Sequence, residues 1–162
     1  MATLIVEDGS IVANANTYID VAFVDTYATD HGNTTWGAGT ADEKTASILN
    51  SMIYVEDKPF KGYPTTGDQS LVWPRYDVDL YGWPVLSDEI PARLKAAQAE
   101  ASMRAISGEL SPDLKRGGAV KRRKVDVIET EYFDGASATT TYQVIDQLLK
   151  PLLKSSNRLV LA

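Results

Sequence analysis

His31 is the only histidine in this chain and there is no cysteine. Nucleophile–imidazole triads need a histidine beside the attacking group, and zinc sites need three or four nitrogen or sulfur ligands. Both chemistries are therefore nearly excluded, and His31 reads as a cation at the end of the first helix. Asp77-x-Asp79-x-x-Gly82, with Asp88 at the twelfth position of that frame, loosely resembles a calcium loop. Tyr81 stands where an oxygen donor is needed, Pro84 interrupts the frame, and Asp88 is a methylene shorter than the usual bidentate Glu. A turn between two short strands is the expected reading. Gly117-Gly118 lacks the Gly-x4-Gly-Lys-Ser/Thr pattern of a phosphate loop. Twenty-two acidic residues offer many carboxylates, but no spacing holds two together for acid–base work. The expectation is no enzyme, no metal and no cofactor.

The strongest electrostatic feature is Lys121-Arg122-Arg123-Lys124. Six of the sixteen basic residues lie between Lys115 and Lys124, in a chain of formal charge −6. That overall charge disfavours a general duplex-DNA binder, because phosphate affinity comes from basic contacts. The cluster could meet nucleic-acid phosphate or an acidic partner, or stand as a solvated charged strand. Tyr132 and Phe133 lie too far along to stack bases within it. A ribbon whose basic half meets Glu129 and Glu131 of an identical neighbour is a further option. The second feature is Asn157-Arg158-Leu159-Val160-Leu161-Ala162, mostly apolar and beyond a Ser-Ser-Asn stretch. Such a segment suits a neighbouring chain's sheet edge or groove, or packing on its own domain.

The elements that must position these residues are mainly helical. The length of 162 residues points to one domain. The helical core is expected over about 16–110, a ribbon over about 119–142, a last helix over about 143–153 and a docking tail over 155–162. A first helix is expected from Asn16 or Thr17 to about Asp30, followed by a loop through Gly39 with Trp36 as a hydrophobic plug. Thr40 and Glu43 form a capping box. They open a second helix to about Glu56, with Thr45, Ile48, Leu49, Met52 and Ile53 on its core face. Leu71 to Trp73 reads as a strand-like entry to a turn at Asp77 to Gly82. Pro91 fits the first turn of the third and central helix. Ile90, Leu94, Ala97, Ala101 and Ala105 recur on one small-residue face that admits close neighbours. Alternation over Ala119 to Tyr132, a turn at Asp134-Gly135 and a return over Thr139 to Tyr142 predict the ribbon. The fourth helix carries Val144, Ile145, Leu148, Leu149, Leu152 and Leu153, and Pro151 should end it near Lys150. No apolar run approaches the roughly 20 residues of a membrane helix, and no signal-peptide pattern opens the chain, so folding in the cytosol is expected.

In this order the motifs resemble a family. They are Leu4-Ile5-Val6-Glu7-Asp8-Gly9, Ala15-Asn16-Thr17-Tyr18, Gly32-Asn33 with Trp36, Trp73-Pro74-Arg75, the Asp79–Gly82 turn and Ile90-Pro91 before an Ala-rich helix. Leu110-Ser111-Pro112-Asp113, Gly117-Gly118, the basic strand and the Leu-rich helix complete the series. The chain is similar to the small head–tail connector (adaptor) proteins of tailed bacteriophages, a group often labelled DnaT-like single-stranded-DNA-binding protein. The resemblance implies a structural virion protein: a helical adaptor in a cyclic, dodecameric ring under the portal protein, at the neck between head and tail. The genome would pass through the lumen without specific binding, and the next tail component would dock on the other face. On this reading Asn157 to Ala162 dock on the portal. Lys121, Arg122, Arg123, Lys124, Glu129 and Glu131 make inter-subunit or portal contacts. The alternative is a single-stranded-DNA-binding accessory of replication.

Overall fold

The computed structural model describes residues 2–110, 122–125, 128–131 and 142–154. Its backbone divides into two units, Met1–Leu110 with Tyr142–Ala162, and Ser111–Thr141. The fold is mainly α with small antiparallel hairpins. No described helix is long and apolar enough to cross a membrane.

In the larger unit, helix α1 spans Val21–Asp30, and the Asp20 side chain caps it by accepting the Phe23 N–H. It begins about four residues later than its sequence suggests. Thr17 is instead bridged to Val6 in extended backbone, and the Asn16 carboxamide accepts the Ile5 N–H while donating to the Thr3 carbonyl. Polar side chains that bond the backbone locally compete with helix in this way. His31 is the C-cap, with its ring stacked on Tyr27 and its Nδ1 2.8 Å from the Tyr27 carbonyl.

The expected loop after Gly32 contains a five-residue helix, α2 (Thr34–Ala38), capped by the Asn33 side chain. Trp36 is buried, as a plug should be. Its indole N–H and the Lys44 ammonium both donate to Asp25 Oδ1, at 2.7 and 2.8 Å. The Lys44 hydrogen bond, followed by that of Trp36, holds the Asp25 carboxyl below its ordinary range. One carboxylate thus ties α1 and α2 to the next helix, α3 (Ala41–Glu56).

The Thr40–Glu43 capping box of α3 is present in both directions. Its core face is rotated from the expected one. Thr45, Ile48, Met52 and Val55 are buried, while Ile53 is exposed.

Helix α4 (Ala92–Ala105) follows Pro91, which is the N-cap itself and not the first helical residue. Leu94, Ala97, Ala99, Ala101 and Met103 are buried, and so are Gln98, Glu100 and Ser102. A helix covered on so much of its circumference is the central one. Its polar residues are satisfied: Gln98 Nε2 donates to Thr17 Oγ1 and Ser102 Oγ donates to the Gln98 carbonyl. Helix α5 (Gln143–Leu149) ends as Pro151 requires, passing into a single 3-10 turn over Lys150–Leu152. Ile145, Leu149 and Leu152 join Trp73, Phe60, Met52 and Leu94 in the main core.

The smaller unit contains one described hairpin, β5 (Arg122–Val125) with β6 (Ile128–Glu131). Residues 119–132, expected as one strand, therefore hold two paired strands, and the expected turn at Asp134-Gly135 lies outside the described residues. Of the expected return strand over Thr139 to Tyr142, Tyr142 is the N-cap of α5, and residues 139–141 lie outside the described residues. The remainder of the expected ribbon lies outside the described residues.

Candidate functional site

Between α3 and α4 the chain forms two short hairpins. β1 (Tyr63–Pro64) pairs with β2 (Arg75–Tyr76), and β3 (Asp79–Leu80) pairs with β4 (Trp83–Pro84). Leu71 to Trp73, expected as a strand, are irregular, and the Trp73–Pro74 peptide is cis.

Buried polar groups fix this region to the helices. The Arg75 guanidinium donates to the carbonyls of Lys61, Gly62 and Val72 at 2.7–3.0 Å. A fork of donors suits several carbonyls at once. Glu56, at the end of α3, accepts the Tyr18 hydroxyl at 2.5 Å and the Val72 N–H at 2.9 Å. Tyr18 in turn accepts the Trp73 N–H. Burial raises the Glu56 carboxyl above its ordinary range against the pull of these hydrogen bonds, and burial likewise pushes the Tyr18 hydroxyl up. Gly62, at φ +63°, lies so close to the Tyr76 carbonyl that a Cβ would collide with it.

The two hairpins leave aromatic side chains uncovered. Eight large hydrophobic residues are exposed among those described, and five belong to this stretch: Tyr63, Tyr76, Tyr81, Trp83 and Leu86. Trp83 is 77% exposed and Tyr81 69%. The Tyr63 and Tyr76 rings pair across β1 and β2, with centroids 5.7 Å apart. The Arg93 guanidinium lies 5.4 Å from the Tyr81 ring centre. Tyr81 and Gly82 have φ of 57° and 88°, the two positive angles of a type I′ turn. The Asp79 carboxylate accepts the Gly82 N–H and closes that turn.

The charge around these rings is negative. Asp68, Asp77, Asp79, Asp88 and Glu89 are all exposed or at loop positions, and none forms an ion pair with a described residue. Of the cations, Arg75 is spent on backbone carbonyls, Lys61 Nζ donates to the Asp79 carbonyl, and Arg93 covers Tyr81. No group of three or more acidic or histidine side chains among the described residues is placed to hold a metal ion. Aromatic rings with unpaired carboxylates recognise cationic and apolar groups of another molecule.

The residues singled out for their charge are placed differently. Arg122 is opposite Glu131 and Lys124 opposite Glu129 within one ribbon. Lys121 and the tail Asn157, Arg158, Leu159, Val160, Leu161 and Ala162 lie outside the described residues. Sequence reasoning missed the aromatic surface because its members lie in turns, where no periodicity reports a face. The one available signal was Tyr81 before Gly82, a bulky residue where a turn ordinarily takes Asp or Asn.

No curated protein and no solved structure matches the chain. Residues 2–161 match the family model described as "Putative DnaT-like ssDNA binding protein". That match covers nearly the whole sequence, and the chain belongs to that family.

Proposed function

We propose that this chain is a non-enzymatic assembly protein: an adaptor that joins the DNA-filled head of a tailed phage to its tail, as a ring under the portal. The observation that carries this reading is the aromatic surface of residues 63–86, set among unpaired carboxylates. Such a surface fits protein and repels phosphate. Residues 1–110 hold seven basic against sixteen acidic side chains. A wall of that charge would let DNA pass without the sticky contacts that stall it. The tail residues Asn157 to Ala162 are assigned to portal docking, on their apolar composition.

The family description supports a second reading, single-stranded-DNA binding in replication. Exposed Tyr and Trp rings are the groups on which bases stack, and Arg122, Arg123 and Lys124 could supply phosphate contacts. The acidic setting of the rings weighs against it.

Two experiments separate the readings. Deleting residues 157–162 should abolish attachment to DNA-filled heads while leaving the thermal unfolding of the chain unchanged; unaltered attachment refutes the tail's role. A gel shift on single-stranded DNA should show no retention at physiological salt. Strong retention that Arg122→Glu and Arg123→Glu abolish would establish the second reading instead.

A further inference from the structure

We propose that Trp83, at the tip of the β3–β4 hairpin of one copy, seats in a hollow on helix α3 of a second copy. The contact deepens the adaptor reading and rests on it.

The hollow has a volume of about 330 Å³ and is lined by Ala2, Asp42, Thr45, Ala46, Leu49 and Asn50. Pockets for small molecules run from about 300 to 1,000 Å³, so this one has room for a single ring system. Asp42, Ala46, Asn50 and Ile53 recur at helical spacing, which sets them on one face of α3. All four are exposed, Ile53 by 68%. Ile48, Met52 and Val55, on the other side of the helix, are buried in the core.

Trp83 has the size and the chemistry for that hollow. It stands opposite Leu80 in the hairpin register, beside the Tyr81-Gly82 turn, and its own chain leaves it 77% exposed. A buried indole needs an acceptor for its N–H, and Asn50 and Asp42 both offer side-chain oxygens. Trp36 makes the same kind of bond within this chain, to the Asp25 carboxylate. Charge matches as well. Arg93, over the Tyr81 ring, brings a cation to the hairpin, and Asp42 brings a carboxylate to the hollow. Neither forms an ion pair with a described residue. Opposite charges on unlike patches set the orientation of a contact.

The two patches lie toward opposite ends of α3. The hollow is formed by its first turns, whereas β3 is tied just past its last turn, where Lys61 Nζ donates to the Asp79 carbonyl. Each copy therefore presents both a tip and a hollow. Contacts between unlike patches build rings when the rotation closes.

Sedimentation velocity on the full chain tests the proposal, with thermal unfolding as a check that each variant folds. The wild type should self-associate. Trp83→Ser removes the ring and Ala46→Gln narrows the hollow, and each should weaken association roughly tenfold or more. An equimolar mixture of these two variants should recover pairs, because each keeps the patch the other has lost. Asp42→Arg should weaken association, and Asp42→Arg combined with Arg93→Asp should restore it. A monomeric wild type, variants that associate like the wild type, a mixture that stays monomeric, or a charge-reversed chain that stays weak would each overturn the contact. So would a Trp83→Ser chain that associates normally but no longer retains single-stranded DNA, which would make Trp83 a base-stacking ring. The adaptor reading fails separately, through absence of the chain from purified particles.

Discussion

Tyr81 holds φ at 57° with its side chain in solvent. The left-handed region costs a side chain about 1–2 kcal/mol, and Asn tolerates it better than Tyr. The Arg93 contact returns only about 0.5–1 kcal/mol at an exposed site. A strained residue kept where a better one exists points to a use for the ring. Tyr81→Asn should therefore raise the melting temperature slightly while lowering the sedimentation coefficient of the assembled chain. A variant that gains stability and associates normally would show that the ring is not used. Glu56 is the complementary case, a carboxyl buried beneath the surface. Its folded pKa is raised above the ordinary 4.5, chiefly by burial, so the native state holds the proton more tightly than the unfolded chain does. Its contribution to stability is fully present below about pH 4.5 and is lost as pH rises through the folded value. Glu56→Gln should flatten the decline in stability between that pH and neutrality, read from denaturant midpoints. It should also lower the midpoint overall, because Tyr18 and Val72 donate to different oxygens of Glu56 and the amide replaces one of them with an NH2 that cannot accept.

At the scale of elements, the seam between α3 and α4 decides whether the hairpins have a floor. Ala97 and Ala101 are fully buried on α4, and Ser102 Oγ bonds Ser51 Oγ across the seam at 3.0 Å. Small residues permit that approach and leave no room for larger ones. Ala101→Leu should cost about 1–3 kcal/mol by overpacking, measured by chemical denaturation; a neutral result would mean the seam is looser than described. This seam was readable in advance, since its alanines recur at helical spacing. So were the Thr40–Glu43 cap and the break at Pro151, because capping and proline chemistry act over a few residues. Three features were not. The α1 start depends on where Asn16 spends its hydrogen bonds, the rotation of the α3 face on what packs against Val55, and α2 on a cap at Asn33 in a stretch that reads as loop. The ribbon's register shows the same limit. Alternation read residues 119–132 as one strand, where the backbone has two paired strands, because periodicity alone does not report where a strand turns back. Of the site, the charged residues were visible in the sequence, whereas the exposure of the rings depends on how the two hairpins leave them uncovered.

At the scale of the molecule, charge and apolar area are segregated along the chain. The helical unit and its hairpins carry most of the acid, and the basic run lies between Lys115 and Lys124. Separate patches of opposite sign favour contacts between unlike surfaces, and exposed aromatics concentrate the energy of such contacts in a few residues. Family membership and this segregation leave assembly and single-strand binding as the two readings, which differ in what covers residues 63–86. The most direct measurement is electron cryo-microscopy of purified tailed particles at a resolution that identifies side chains. The account predicts a cyclic ring of this chain between head and tail, with Tyr63, Tyr76, Tyr81 and Trp83 of each copy covered by a neighbouring chain. Particles that lack the chain, or a ring whose four aromatic side chains face open solvent, would contradict it.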